Sequence, residues 1–377
     1  MDHSPKRVWA GCVLLALTGL MLLYPSESSQ AAREGLRLCA DLLIPALFPF
    51  LALSSLLVST GTLQDLARPL RGLTGSILGT GSSGGAVLLL GLAGGYPVGL
   101  RTLSQLTARG DCTEAEAHRL SLFCNNCGPA FFLSAAGVGV FHAKRIGFLL
   151  MGTNALAALC IAVFLRLSSG KTSSGESSLS GRASSKTLGE VFPDCVAASF
   201  SGTLQLCGYV TLFMVLSSLV ERAGFLSLWQ AVLHKLFPGW YEETLAKSLL
   251  VGLLEVSTGL VSLTDAPDLS AALPLASFLL SWGGLSVHAQ SLPFLRSVHM
   301  PAAPYLIAKF FQGILSAALT RLALLCFPSA LPVMATPSCL VYPSLPGREF
   351  LALWSVSGLC FFLQQRKKSG KKRRNAI

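Results

Sequence analysis

Very little of this sequence is charged: 12% of its 377 residues are Asp, Glu, Lys or Arg, where a soluble domain carries about 25%. Set against 52% hydrophobic residues and a mean hydropathy of +0.60, that shortage excludes an ordinary soluble globular domain. It indicates an all-α polytopic membrane protein, with lipid as its outer medium. Histidine is sparse too. The six histidines do not cluster with acids at metal-ligand spacing, and no HExxH or P-loop pattern occurs. No enzyme, metal site or cofactor is therefore expected. The 11 cysteines have an odd count and no framework spacing, which argues against a disulfide scaffold. Most lie in apolar runs, where cysteine behaves as a small hydrophobe. Cys124-Asn-Asn-Cys127 is a lone CxxC with no second pair to complete a metal site.

Acidic residues are the rarer sign, 18 against 29 basic, for a net charge of +11. A basic excess can signal nucleic acid, but here it flanks apolar spans: Lys6 and Arg7, Arg166 to Lys186, and the tail Arg366–Arg374. That is the pattern of the positive-inside rule. It predicts cytoplasmic N- and C-termini, an even number of crossings, and a tail placed to touch anionic headgroups. The bilayer, not nucleic acid, is the expected partner. Lys6-Arg7 followed by the 17-residue run Val8–Tyr24 has the outline of a signal peptide. The further spans behind it favour an uncleaved first span.

Other apolar runs are Leu42–Val58, Ile146–Leu167, Leu204–Val220, Ala303–Cys326 and Phe350–Leu363. Gly84–Leu106 and Ser248–Val261 are apolar but broken, and Phe123–Val140 and Ser277–Leu295 carry polar residues inside membrane-like sequence. Asp111–Leu122 is polar, with Thr113 and Glu116 at capping-box spacing, and predicts an interfacial helix. Asp41 marks a helix start. Ser168–Lys186 is a Ser/Gly-rich linker that divides the chain. Phe50–Leu63 and Phe213–Leu226 are identical at seven of fourteen positions, offset by 163 residues. At an offset of 161, "GLAGGYPVG" (Gly91–Gly99) faces "GLLEVSTGL" (Gly252–Leu260), and "NNCGP" (Asn125–Pro129) faces "SVHAQ" (Ser286–Gln290). Order and spacing together indicate a duplication. The expected organisation is an N-terminal span over 1–35, a first repeat over 36–167, a linker over 168–187, a second repeat over 188–327, and a last span with the basic tail over 328–377.

Backbone in hydrocarbon must satisfy its own hydrogen bonds, so a helix break survives only against protein or a wet cavity. Breaks at corresponding places in two repeats point to a transporter's substrate site. The first predicts a re-entrant hairpin with its tip at Gly94, Gly95, Tyr96 and Pro97, Pro97 opening the returning arm. Arg101 follows one turn down, either as an anchor for a carboxylate beside a positive helix end or as an interface residue that snorkels. In the second break, Glu255 is an intramembrane carboxylate with Ser257 and Thr258 beside it. It is expected to hold a cation, the substrate or a coupled proton, or else to sit at a helix end at the interface. Asn125, Asn126, Ser286, His288 and Gln290 offer donors and acceptors to a substrate, or to neighbouring helices.

These same stretches carry a family resemblance. "GYPVG", "EAEAHRLSLFCNNCGPAFFLSAAGVGVF" and "SWGGLSVHAQ", with "LLIPALFPFLALSSLLVSTG" before them, resemble the YlbJ (SpoVV) family of sporulation integral membrane proteins over roughly Leu36 to Arg321. The resemblance implies two nucleoside-recognition Gate-type repeats in inverted orientation, each with a re-entrant hairpin. It also implies a protein of endospore formers, in the outer forespore membrane derived from the mother cell, that moves dipicolinate into the forespore. The coupling ion, proton or sodium, stays open. A transporter of nucleosides and a structural or assembly protein of sporulation are the competing expectations.

Overall fold

The protein is described here from a computed structural model, over residues 5–63, 72, 74–75, 82–168, 187–236 and 242–326. The predicted linker and the last span with its basic tail lie outside the described residues. Within them the chain is helical, with no strand.

Helices α1 (Pro5–Leu23) and α2 (Pro25–Leu38) meet at Tyr24 and bend by 98°. Pro25 explains the corner: the residue before a proline is pushed out of helical backbone, and Tyr24 sits at φ −122, ψ 61. Helix α2 continues through a π-helical turn (Cys39–Leu43) into α3 (Ile44–Ser59). Asp41 therefore lies inside continuous helix and does not start one.

The first broken segment is α4 (Ser82–Gly94) and α5 (Val98–Ala108). After α6 (Glu114–Ser121), an irregular stretch at 125–128 leads into a π-helix (Phe131–Val140) and then α7 (Lys144–Ser168). As expected, Thr113 caps α6 by accepting a hydrogen bond from the Glu116 backbone N–H. The second half opens with α8 (Leu188–Arg222) and α9 (Phe225–Leu236). Its own broken segment is α10 (Glu243–Leu254) and α11 (Val256–Val261). A helix split at Gly283 into α12 (Leu269–Trp282) and α13 (Gly284–Ser297) follows, and then α14 (Ala302–Cys326). Apart from α9, the order recurs: long helix, two-armed break, second break, long helix. The sequence located the breaks at Gly95–Pro97 and Glu255. It did not show that the two polar stretches, at 125–128 and Gly283, are breaks as well.

Among the described residues, four helical stretches are long and apolar enough to cross a membrane: α7, α8, the α12–α13 pair and α14, with the bent α1–α2 pair as a fifth. Exposed Phe148 and Phe164 on α7, Phe192 and Phe200 on α8, and Phe310 and Phe311 on α14 face outward, as lipid contact requires. Inside, two apolar cores each draw on both halves. One joins Leu51, Val98 and Leu103 to Leu295 and Tyr305. The other joins Phe132 and Leu150 to Leu260, Leu273 and Leu279. The two halves of the chain are thus interleaved.

Candidate functional site

Both hairpins cross at glycine. Gly91 and Gly99 face each other across the first, where a Cβ on Gly91 would lie 3.3 Å from the Gly99 Cα. In the second, a Cβ on Gly259 would lie 2.3 Å from the Gly252 Cα, so the arms touch backbone to backbone.

The four breaks then pack in pairs. Gly95 has φ +77, and a Cβ there would sit 2.5 Å from the Gly128 N; the first hairpin tip lies directly on the 125–128 break. Glu255 packs on the Gly283 break in the same way, since a Cβ on Gly284 would be 3.2 Å from the Glu255 Cα. One residue links the two pairs. The Tyr96 hydroxyl donates to the carbonyl oxygens of Leu280 (2.8 Å) and Ser281 (2.9 Å), which α12 leaves free where it ends at Gly283. Tyr96→Phe is expected to lower stability by about 1–3 kcal/mol, the penalty for orphaning buried carbonyls, measurable by thermal unfolding in detergent.

The predicted residues sit as follows. Gly94 is buried against Phe50, and Pro97 caps α5 from one position before its first turn, after a cis Tyr96–Pro97 bond. Glu255 is 1% exposed and caps α11: its Oε2 accepts from the Thr258 N–H (2.8 Å) and the Thr258 hydroxyl (3.1 Å). It is buried within the break and does not sit at an exposed interface. Ser257 and Thr258 are half-buried in α11. Arg101 is half-buried in α5, its Nη2 3.5 Å from the Ser199 hydroxyl of α8 and its Nη1 close over Gly202.

Asn125 and Asn126, both 0% exposed, are the centre of the polar layer. Asn125 Nδ2 donates to the hydroxyls of Tyr305 (2.7 Å) and Ser291 (3.0 Å). Asn126 Nδ2 donates to the Phe123 carbonyl (2.8 Å), and its Oδ1 accepts from Gln312 (2.7 Å). His288 is 4% exposed, its ring edge-on to Trp282 (4.2 Å between centroids) and Tyr305 (5.5 Å). Both its ring nitrogens, Asn125 Oδ1, the Ser286 hydroxyl and Gln290 Oε1 have no hydrogen-bond partner among the described residues. Buried polar atoms are nearly always satisfied, so this concentration of free donors and acceptors suits a site that takes polar atoms from outside the chain.

Sequence reasoning missed the richest contributor. Helix α14 was read as an apolar run, yet Tyr305, Lys309, Gln312, Ser316 and Thr320 are all 0% exposed. Ile307, Phe310, Phe311, Ile314, Leu322 and Leu325 are exposed. The helix is amphipathic inside out, polar toward protein and apolar toward lipid, and the spacing of its polar residues at three or four positions was the available signal. Lys309 Nζ donates to the Asn125 carbonyl (2.7 Å) and Gln312 Oε1 (2.8 Å). Farther along, the Thr320 hydroxyl donates to Thr153 (2.9 Å) and Ser277 (2.8 Å). The halves exchange partners here: Gln312 of α14 holds Asn126 in the first half, while Asn154 of α7 donates to Ser281 in the second (2.6 Å).

Among curated proteins, the sporulation integral membrane protein YlbJ of Bacillus subtilis (strain 168) is 29% identical to this chain over 330 residues, covering 82% of the chain and 80% of that relative. The chain is therefore similar to YlbJ over most of its length. That similarity and the long apolar helices together mark a helical integral membrane protein. No family model matches it, and no solved structure matches it. The YlbJ relationship extends across most of the chain, as the motif resemblance led one to expect.

Proposed function

We propose that this chain is a member of the YlbJ family and a transporter that moves dipicolinate, a small aromatic dicarboxylate, into the forespore by alternating access between two inverted Gate-type repeats. The observation that carries the reading is the pairing of four helix breaks around one buried polar layer. Broken helices at corresponding places in two repeats are how transporters bind a solute at mid-membrane. Here the breaks carry free polar atoms on Asn125, Ser286, His288 and Gln290. Tyr96, Trp282, His288 and Tyr305 supply aromatic faces suited to a planar ring. The protein would lie in the outer forespore membrane with both termini cytoplasmic, bind no nucleic acid and use no cofactor. A proton or sodium ion would drive the cycle, with Glu255 as its carrier.

Uptake of labelled dipicolinate by cells expressing only this protein tests the reading. Wild type is expected to accumulate it well above empty vector, and Glu255→Gln and Arg101→Ala to lose about tenfold or more of the rate, the scale of one lost charge-assisted interaction. Correct membrane insertion with uptake no better than empty vector would end the proposal. Normal transport by both variants would remove Glu255 and Arg101 from the mechanism.

A second reading, a nucleoside transporter, draws on the neutral amides Asn125, Asn126, Gln290 and Gln312 beside aromatic rings, groups able to read base edges. Competition of uptake by nucleosides and not by dipicolinate would select it.

A further inference from the structure

The geometry points to Lys309 as the cationic anchor of a carboxylate-binding subsite, completed by His288 and set between Tyr96 and Tyr305. This inference rests on the transport reading but makes a narrower claim: whatever the solute, the group that meets Lys309 carries a negative charge.

Lys309 is 0% exposed, about two turns into α14. Two of its three ammonium protons go to the Asn125 carbonyl and Gln312 Oε1, both neutral. The Tyr96 ring lies 5.6 Å away, also neutral. Among the described residues no carboxylate comes within ion-pair distance of it. A lysine needed only to tie α14 to Asn125 would be an expensive choice, because neutral acceptors leave its charge uncompensated in low dielectric. Glutamine or serine would make such a tie without that penalty, as Gln312 does to Asn126 one turn away.

A second, independent observation lies across the Tyr305 ring. His288 is buried, its ring nitrogens unpartnered, and in the neutral ring one of them is a donor. Tyr305 connects the two groups: it packs against His288 and accepts from Asn125, whose own carbonyl holds Lys309. An ammonium and an imidazole N–H buried in one layer, joined through Tyr305 and Asn125, are both groups that donate to carboxylate oxygens. Asn125 Oδ1 remains as an acceptor for water or for a protonated group of the ligand.

The test uses the purified full-length chain in detergent, with binding followed by calorimetry. The probes are pyridine-2,6-dicarboxylate, pyridine-2-carboxylate and the neutral pyridine-2,6-dicarboxamide. Wild type is expected to bind a carboxylate about tenfold or more tighter than the diamide, as a charge-assisted contact predicts. Lys309→Met should erase that preference, and Lys309→Arg should restore part of it. Equal affinity for diamide and dicarboxylate, unchanged carboxylate binding by a folded Lys309→Met, or no carboxylate binding at all would each overturn the inference. Should Lys309→Met fail to fold, the wild-type comparison of charged and neutral probes decides alone. If pyridine-2-carboxylate binds through Lys309 and the dicarboxylate does not bind, the subsite stands and the dipicolinate reading falls. If the dicarboxylate binds undiminished without Lys309, the reverse holds.

Discussion

Gly95→Ala is expected to destabilise the protein by about 2–5 kcal/mol, combining the strain of a left-handed backbone on an L-residue with overpacking at a contact that has no room. The residue holds φ +77, and the atoms a Cβ would strike are Gly128 N at 2.5 Å and Gly128 Cα at 2.7 Å. Both are backbone, so no side chain can swing aside. The tip would have to lift from the 125–128 break, carrying Tyr96 away from the carbonyls it satisfies. Chemical denaturation in detergent reads the loss directly. Gly110→Ala is the control: Gly110 has the same φ of +77 but open space around its Cβ position, so it should show only the backbone part, about 1–2 kcal/mol. If the two variants behave alike, the close packing of tip on break is wrong.

The second large effect is expected at Gln312. Gln312→Ala removes an acceptor from the Lys309 ammonium and a donor from Asn126 Oδ1 at once. Each buried group left unsatisfied costs about 1–3 kcal/mol, and more when charged, so the sum should be about 3–5 kcal/mol in thermal or chemical unfolding. Asn126→Ala in the same background should add much less than it does alone, with a coupling of about 1–3 kcal/mol. Additive losses would mean that the two amides are not partners.

Much of this architecture was legible in the chain. Glycine and proline announce where a helix cannot continue, so the breaks at Gly95–Pro97 and Glu255 could be placed from residue types alone. The likeness of Phe50–Leu63 to Phe213–Leu226, in side chains as well as hydropathy, was the basis for expecting a duplication. The breaks at 125–128 and Gly283 were harder, because tertiary contacts make them: Gly95 presses on one and Tyr96 caps the other. The site was half legible. Asn125, Asn126, Ser286, His288 and Gln290 stood out as polar residues in apolar surroundings and lie buried in the structure. Lys309 and Gln312 escaped because a window average over Ala303–Cys326 is dominated by the lipid-facing residues between them. Only the helical phase separates the two faces. Arg101 shows the limit in the other direction, since no local pattern could tell that its guanidinium would lie on α8.

The partner exchange between halves has a consequence for biosynthesis. Asn125 and Lys309 are 184 positions apart, so at ordinary synthesis rates of about 5–20 residues per second the first waits roughly 10–40 s for the second to leave the ribosome. During that interval the first half is in or near the bilayer with the Asn125 amide and the Asn126 Oδ1 lacking their final partners on Ser291, Tyr305 and Gln312. The nascent protein is therefore most vulnerable in mid-synthesis. A ribosome stalled before α14 would leave a half-built, polar-cored intermediate of the kind that membrane quality-control proteases remove.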